Sequence, residues 1–116
     1  MGNQLEARAL TLDEQRLLRK IVRALNASDA TALESQIDAA RVTGGLPTLL
    51  DLTVERAAPP AGLDDGPLPV RAIVSEPCGE VLVWVKDGLL DGLEFAWASA
   101  EAPTEMPGPD RVSVEP

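Results

Sequence analysis

VLVWVKDGLLDGLEFAW, residues 81–97, reads as two strands joined by a two-residue turn. Val81, Val83 and Val85 alternate with Leu82, Trp84 and Lys86. That period of two, apolar on nearly both sides, predicts a central strand. Asp87-Gly88 supplies the two positive-φ positions of a type I′ turn, the strongest short hairpin signal there is. The return strand is predicted over residues 89–98, with Gly92 at a bulge and Leu93, Phe95 and Trp97 on one face.

Upstream, Leu50, Leu52 and Val54 alternate with Asp51, Thr53 and Glu55, a strand with one buried face, and residues 70–75 make another short strand before the Glu76-Pro-Cys-Gly79 turn. Between them, residues 57–69 hold four prolines and the Asp64-Asp65 pair, which predicts an exposed, mobile loop with no element of its own. Two helices precede the strands. Thr11-Leu-Asp-Glu14 is a capping box, followed by Leu17, Leu18, Ile21, Val22 and Leu25 at helical spacing. A second helix is expected to begin between Ser28 and Thr31, to carry Leu33, Ile37 and Ala40 on its apolar side, and to stop at Gly44-Gly45. The expected architecture is α+β: two N-terminal helices packed on one face of a four-stranded antiparallel meander. It forms one domain over residues 1–116, with a loose segment at 1–10 and an acidic, proline-rich tail at 101–116.

At 116 residues and 45% apolar composition, the chain has enough material for one modest core, burying about 65% of its unfolded surface. The net charge of −9 is uneven. Residues 1–63 carry seven basic and eight acidic groups, whereas residues 64–116 carry three and eleven. An acidic half of this kind repels nucleic acid and anionic membranes and steers a basic partner inward. No apolar run reaches the length of a membrane span and no signal segment opens the sequence, so a cytoplasmic location is expected. Cys78 is the only cysteine, which precludes an intrachain disulfide.

The sequence has neither His nor Tyr, which removes Ser/His/Asp and Cys/His nucleophile systems, His-ligated zinc and a phenolic acid or base. Catalysis would have to rest on carboxylates, Lys20, Lys86 or Cys78, and no catalytic residue, cofactor or metal ligand is assigned. Asp64-Asp65-Gly66 falls short of the six to eight oxygens that calcium takes and reads as a polar turn. Cys78 reads as an inert turn cysteine. Arg16, Arg19, Lys20 and Arg23 share one helix face; this is read as a solvated, salt-bridged stripe, with phosphate binding the lesser alternative.

The segments Leu10-Thr-Leu-Asp-Glu14, Ala40-Arg-Val42, Leu50-Asp-Leu-Thr-Val54, Leu82-Val-Trp-Val-Lys-Asp-Gly88, Gly92-Leu-Glu94 and Ala102-Pro-Thr-Glu-Met-Pro107 together carry a resemblance. In them the chain resembles a loose group of small, acidic, uncharacterised bacterial proteins, some of which look like immunity proteins of polymorphic toxin systems. Members often have a Cys-Gly-Cys-type cluster where this chain has Gly44-Gly-Leu-Pro47, so the resemblance carries no metal or redox role here. It implies a basic toxin domain as partner.

Asp87, Asp91, Glu94, Glu101 and Glu105 crowd this part of the sequence, with Trp97 among them. They are read as the candidate partner-contact set, an acidic face around an aromatic anchor, although Trp97 also suits plain core packing. The functional expectation is a non-enzymatic protein-binding domain that occludes a basic toxin domain. The alternative is a small-molecule or regulatory binding domain, with a pocket between helices and sheet lined by Leu50, Val83 and Phe95.

Overall fold

The computed structural model describes residues 7–55 and 59–115. In chain order the elements are β1 (Arg8–Ala9), α1 (Leu12–Val22), α2 (Ala27–Ile37), β2 (Arg41–Leu46), β3 (Leu49–Thr53), β4 (Gly66–Pro67), β5 (Arg71–Val74), β6 (Gly79–Lys86), β7 (Leu89–Trp97), a 3-10 turn at Pro109–Arg111 and β8 (Val112–Glu115). The protein is α+β, with two helices and an antiparallel sheet of eight strands where sequence reading expected four.

Strand order is β1-β2-β3-β7-β6-β5-β8, and the short β4 also pairs with β6. The β6–β7 hairpin is central, as its two-sided apolar pattern requires. It runs from Gly79↔Trp97 to Lys86↔Leu89, and Asp87 (φ 54°) and Gly88 (φ 77°) form its turn. At Asp91 the register slips by one, since Trp84 faces Gly92 but Val85 faces Leu90. The bulge keeps both Leu90 and Leu93 on the buried side despite their odd spacing. The order is not a simple meander. β3 lies beside β7 (Leu49↔Glu94, Leu50↔Leu93), because β2 and β3 form their own hairpin around Pro47-Thr48 and dock it on the β7 edge.

Four further expectations are corrected. Gly44-Gly45 does not stop a helix: α2 ends at Ile37, and both glycines lie in β2, where a Cβ on Gly45 (φ 109°) would meet Leu49 O at 2.0 Å. Asn26, not a residue at 28–31, caps α2, its Oδ1 accepting from Asp29 N at 3.0 Å. The 59–69 part of the expected loop buries Ala61 and Leu68, and its β4 lies end to end with β5 along β6, Leu68 N donating to Val83 O at 2.8 Å. The tail is structured at its end, where β8 pairs with β5 from Arg71↔Glu115 to Val74↔Val112. In the N-terminal segment, Arg8 and Ala9 pair with β2 and Leu10 is buried; residues 1–6 lie outside the described residues, as do 56–58 of the loop and residue 116 of the tail.

α1 begins as its capping box dictates. Thr11 Oγ1 accepts from Glu14 N (3.1 Å), and Glu14 Oε1 accepts from Thr11 N (2.8 Å). Leu17, Leu18, Ile21 and Val22 of α1 and Leu33 and Ile37 of α2 join Val81, Val83, Leu93 and Phe95 in one hydrophobic core. Gln36 is the buried polar residue of that core. It donates to Gly88 O (2.9 Å) and Pro59 O (3.0 Å) and accepts from Leu90 N (2.8 Å), so α2 grips the tip of the β6–β7 hairpin. All its polar atoms are satisfied, which makes its burial tolerable.

Candidate functional site

β7 carries the candidate residues, and its length separates them. Nine residues at about 3.3 Å each place its two ends about 25 Å apart. Asp87 and Asp91 sit at the turn end, exposed: Asp87 N donates to Asp65 Oδ1 at 2.9 Å, and Asp91 is the bulge residue. Asp65, read as part of a polar turn, thus pins the hairpin tip. Glu94 lies mid-strand on the side opposite Leu93 and Phe95, half-buried, its Oε1 accepting from Trp84 Nε1 at 3.0 Å. Trp84 is half-buried beside Gly92 and in that way satisfies its indole N–H.

The opposite end of β7 keeps Trp97, Glu101 and Glu105. Trp97 is 41% exposed and pairs with Gly79. The pairing demands glycine, because a Cβ there would lie 2.5 Å from Ala96 O and 2.7 Å from Phe95 Cε1. Beyond Trp97, Ala98 N donates to Cys78 O (2.8 Å), and the chain then runs across this end of the sheet towards β8. Ser99 Oγ donates to Glu101 O at 2.8 Å. Glu101 and Glu105 are exposed, Met106 packs against the core and Pro107 is buried.

Two long-range bonds hold this crossing to the body. Lys20 Nζ donates to Pro109 O (2.8 Å) and Arg111 Nη1 to Glu76 O (3.0 Å). Between the crossing and the β5–β6 turn lies a cleft of about 310 Å³, lined by Pro77, Phe95, Arg111 and residues 103–108. A second concavity of about 260 Å³, on Thr11, Asp13 and Glu14, shares Glu105 to Gly108 with it. The clefts do not coincide with the pocket expected between helices and sheet: Leu50 borders one near Arg8, Phe95 borders that at Pro77, and Val83 is buried in the core.

The basic groups are occupied within the chain. Arg8, Arg16, Arg19, Arg23 and Arg71 pair with Glu14, Asp13, Asp38, Glu34 and Glu80 respectively. The stripe on α1 is therefore a salt-bridged surface, with Lys20 given to a backbone carbonyl. The tightest pair is Arg8–Glu14, bidentate at 2.9 and 3.0 Å. Burial opposes the Glu14 charge, but the Arg8 hydrogen bond, the Thr11 amide and the Arg8 charge outweigh it and hold this carboxyl below the ordinary carboxylate range. The hydrogen bond to Glu14 conversely raises Arg8. By contrast, none of the seven acids after Glu80 is ion-paired among the described residues.

Sequence reading placed the acids but missed Pro77, Met106, Pro107 and Arg111, whose convergence depends on contacts between distant segments. The one available signal was Met106-Pro107, an apolar pair inside a polar stretch. Among the described residues no cluster of three or more His, Cys, Asp or Glu could hold a metal ion, and no helix is long and apolar enough to cross a membrane. Comparison with protein-family models, curated proteins and solved structures gave no match.

Proposed function

We propose that the protein is a non-enzymatic protein-binding domain of the cytoplasm that takes a basic partner at the Trp97 end of β7. A bacterial toxin domain, neutralised by occlusion, is the particular partner the sequence resemblance favours. In this reading the two helices cover one face of the sheet and the Trp97 end stays open. The observation that carries it is the combination at that end: a 41% exposed tryptophan beside Glu101 and Glu105. Neither acid has an ion-pair partner among the described residues, while the arginines of the helical half are internally paired. An aromatic anchor with a polar, charged surround is the usual anatomy of a recognition surface, and acids without local partners impose the field that steers a cation-rich surface towards them.

The test is co-expression with the polypeptides encoded beside it. A stable complex with a basic one is expected, weakening at least tenfold as salt rises from about 50 to 500 mM. The triple variant Trp97→Ala, Glu101→Lys, Glu105→Lys should abolish it. A complex indifferent to salt and to that variant, or failure of every basic neighbour to bind, overturns the reading.

A further inference from the structure

The cleft beside Trp97 has a shape and lining that say what the partner inserts. Its volume of about 310 Å³ lies at the lower bound of ligand pockets, which suits one large side chain better than a cofactor. Its walls are Pro77, Pro103 and Pro107, with Phe95 and Met106. Proline rings fix the backbone and lose little freedom on binding, so the cleft is formed in advance, while the Met106 thioether adapts to an aromatic guest. Lys20 and Arg111 tie down the far part of the crossing at Pro109 and Glu76, which makes the concavity part of the fold.

The rim supplies charge. Glu105 is exposed and without an ion-pair partner among the described residues, whereas the one bond of the Arg111 side chain there goes to Glu76 O. Trp97 follows Phe95 by two residues on the same strand, which places it on the same side about 7 Å further along. We infer that this cleft receives a single aromatic side chain of the basic partner, and that a Lys or Arg beside that aromatic in the partner's sequence pairs with Glu105. The inference rests on the protein-binding reading and names the partner's anchor. Cation and ring together match an apolar floor with an anionic lip, and neither alone does.

Gly108 provides the blocking variant. It lines the cleft, its backbone (φ −72°, ψ 160°) is one that any residue adopts before proline, and an added Cβ meets nothing within 4 Å. Gly108→Phe should therefore fill the space without unfolding the protein, which circular dichroism and thermal melting check. The probe is acetyl-Lys-Trp-Lys-amide, titrated into the full chain and followed at the Met106 methyl and the residue 108 amide by NMR. Saturable shifts at both are expected, at least tenfold weaker with acetyl-Lys-Ala-Lys-amide or acetyl-Glu-Trp-Glu-amide and at least tenfold weaker for Gly108→Phe. Glu105→Lys should weaken the lysine-flanked peptide and leave acetyl-tryptophanamide unaffected. Shifts that map elsewhere, or equal affinity in Gly108→Phe, overturn the assignment. The two readings fail separately. A basic partner that binds Gly108→Phe as tightly as the native chain removes the cleft and leaves protein binding standing; peptide binding at Met106 with no basic partner found does the reverse.

Discussion

At the Asp87-Gly88 end of the β6–β7 hairpin, four bonds from outside the hairpin converge: Gln36 holds Gly88 O and Leu90 N, Ala61 N also donates to Gly88 O, and Asp65 takes the Asp87 amide. At the Trp97 end of the same two strands, the indole stands 41% exposed, and the bonds that hold the following crossing are made by long surface side chains, Lys20 and Arg111. One end spends its polar groups on internal bonds. The other leaves its acids without internal partners. The difference teaches that this hairpin is anchored from its turn, and that its open end can present chemistry to the outside without carrying the fold.

Gln36→Leu tests the anchored end most severely. It removes both the donor and the acceptor and leaves the buried Leu90 N–H unsatisfied, so a loss of about 2–4 kcal/mol is expected in urea denaturation. A loss below about 1 kcal/mol would break the contrast between the ends. Next in size is a matched pair of glycines. Gly88→Ala forces φ 77° on an L-residue and sets its Cβ 2.5 Å from Ala61 O, for about 1–3 kcal/mol, whereas Gly108→Ala at the open end should stay within about 0.5 kcal/mol.

The two kinds of acid separate by a smaller margin. Glu14→Gln weakens the Arg8 pair, and about 1 kcal/mol should be lost at neutral pH, while Glu105→Gln leaves the melting temperature unchanged. Because the folded Glu14 carboxyl lies below its unfolded value, its contribution is present above that value and disappears as the pH falls through the folded one. The difference between native protein and Glu14→Gln should accordingly close on acidification, and a gap that persists at pH 2 would count against the pairing. The smallest effect on stability is that of Trp97→Phe, within about 0.5 kcal/mol. Its readout is fluorescence: the variant should lose the acrylamide-accessible emission and keep the shielded component from Trp84, whose indole is bonded to Glu94.

The parts of the fold that sequence disclosed are those written in local chemistry. Asp87-Gly88 could be read because a type I′ turn restricts its residues, and α1 because Thr11 and Glu14 satisfy each other three residues apart. Gly44-Gly45 misled for a physical reason, since positive φ ends helices and also serves tight hairpins, and only the approach of Leu49 O decides between them. β1, β4 and β8 are two to four residues long and exist by virtue of partners far along the chain. Gln36 is a plain helix residue in sequence; its partners at Gly88 and Leu90 lie 52 and 54 positions away. The candidate acids looked like one cluster because they are close in sequence, but an extended strand is the conformation that carries such neighbours furthest apart.

Asp91 has a consequence of another kind. It is the residue without an opposite number on β6, so the strand runs one residue longer than the ladder beside it. Remove it and Leu90, Gly92 and Leu93 fall into plain alternation, still facing Val85, Trp84 and Val83, with the inner and outer surfaces preserved. Remove a neighbour such as Glu94 and the strand beyond is turned over, taking Phe95 out of the core. The chain thus carries one stitch of slack in its central strand. Length variation there can be absorbed as a change of twist, where elsewhere along the strand it would be an inversion.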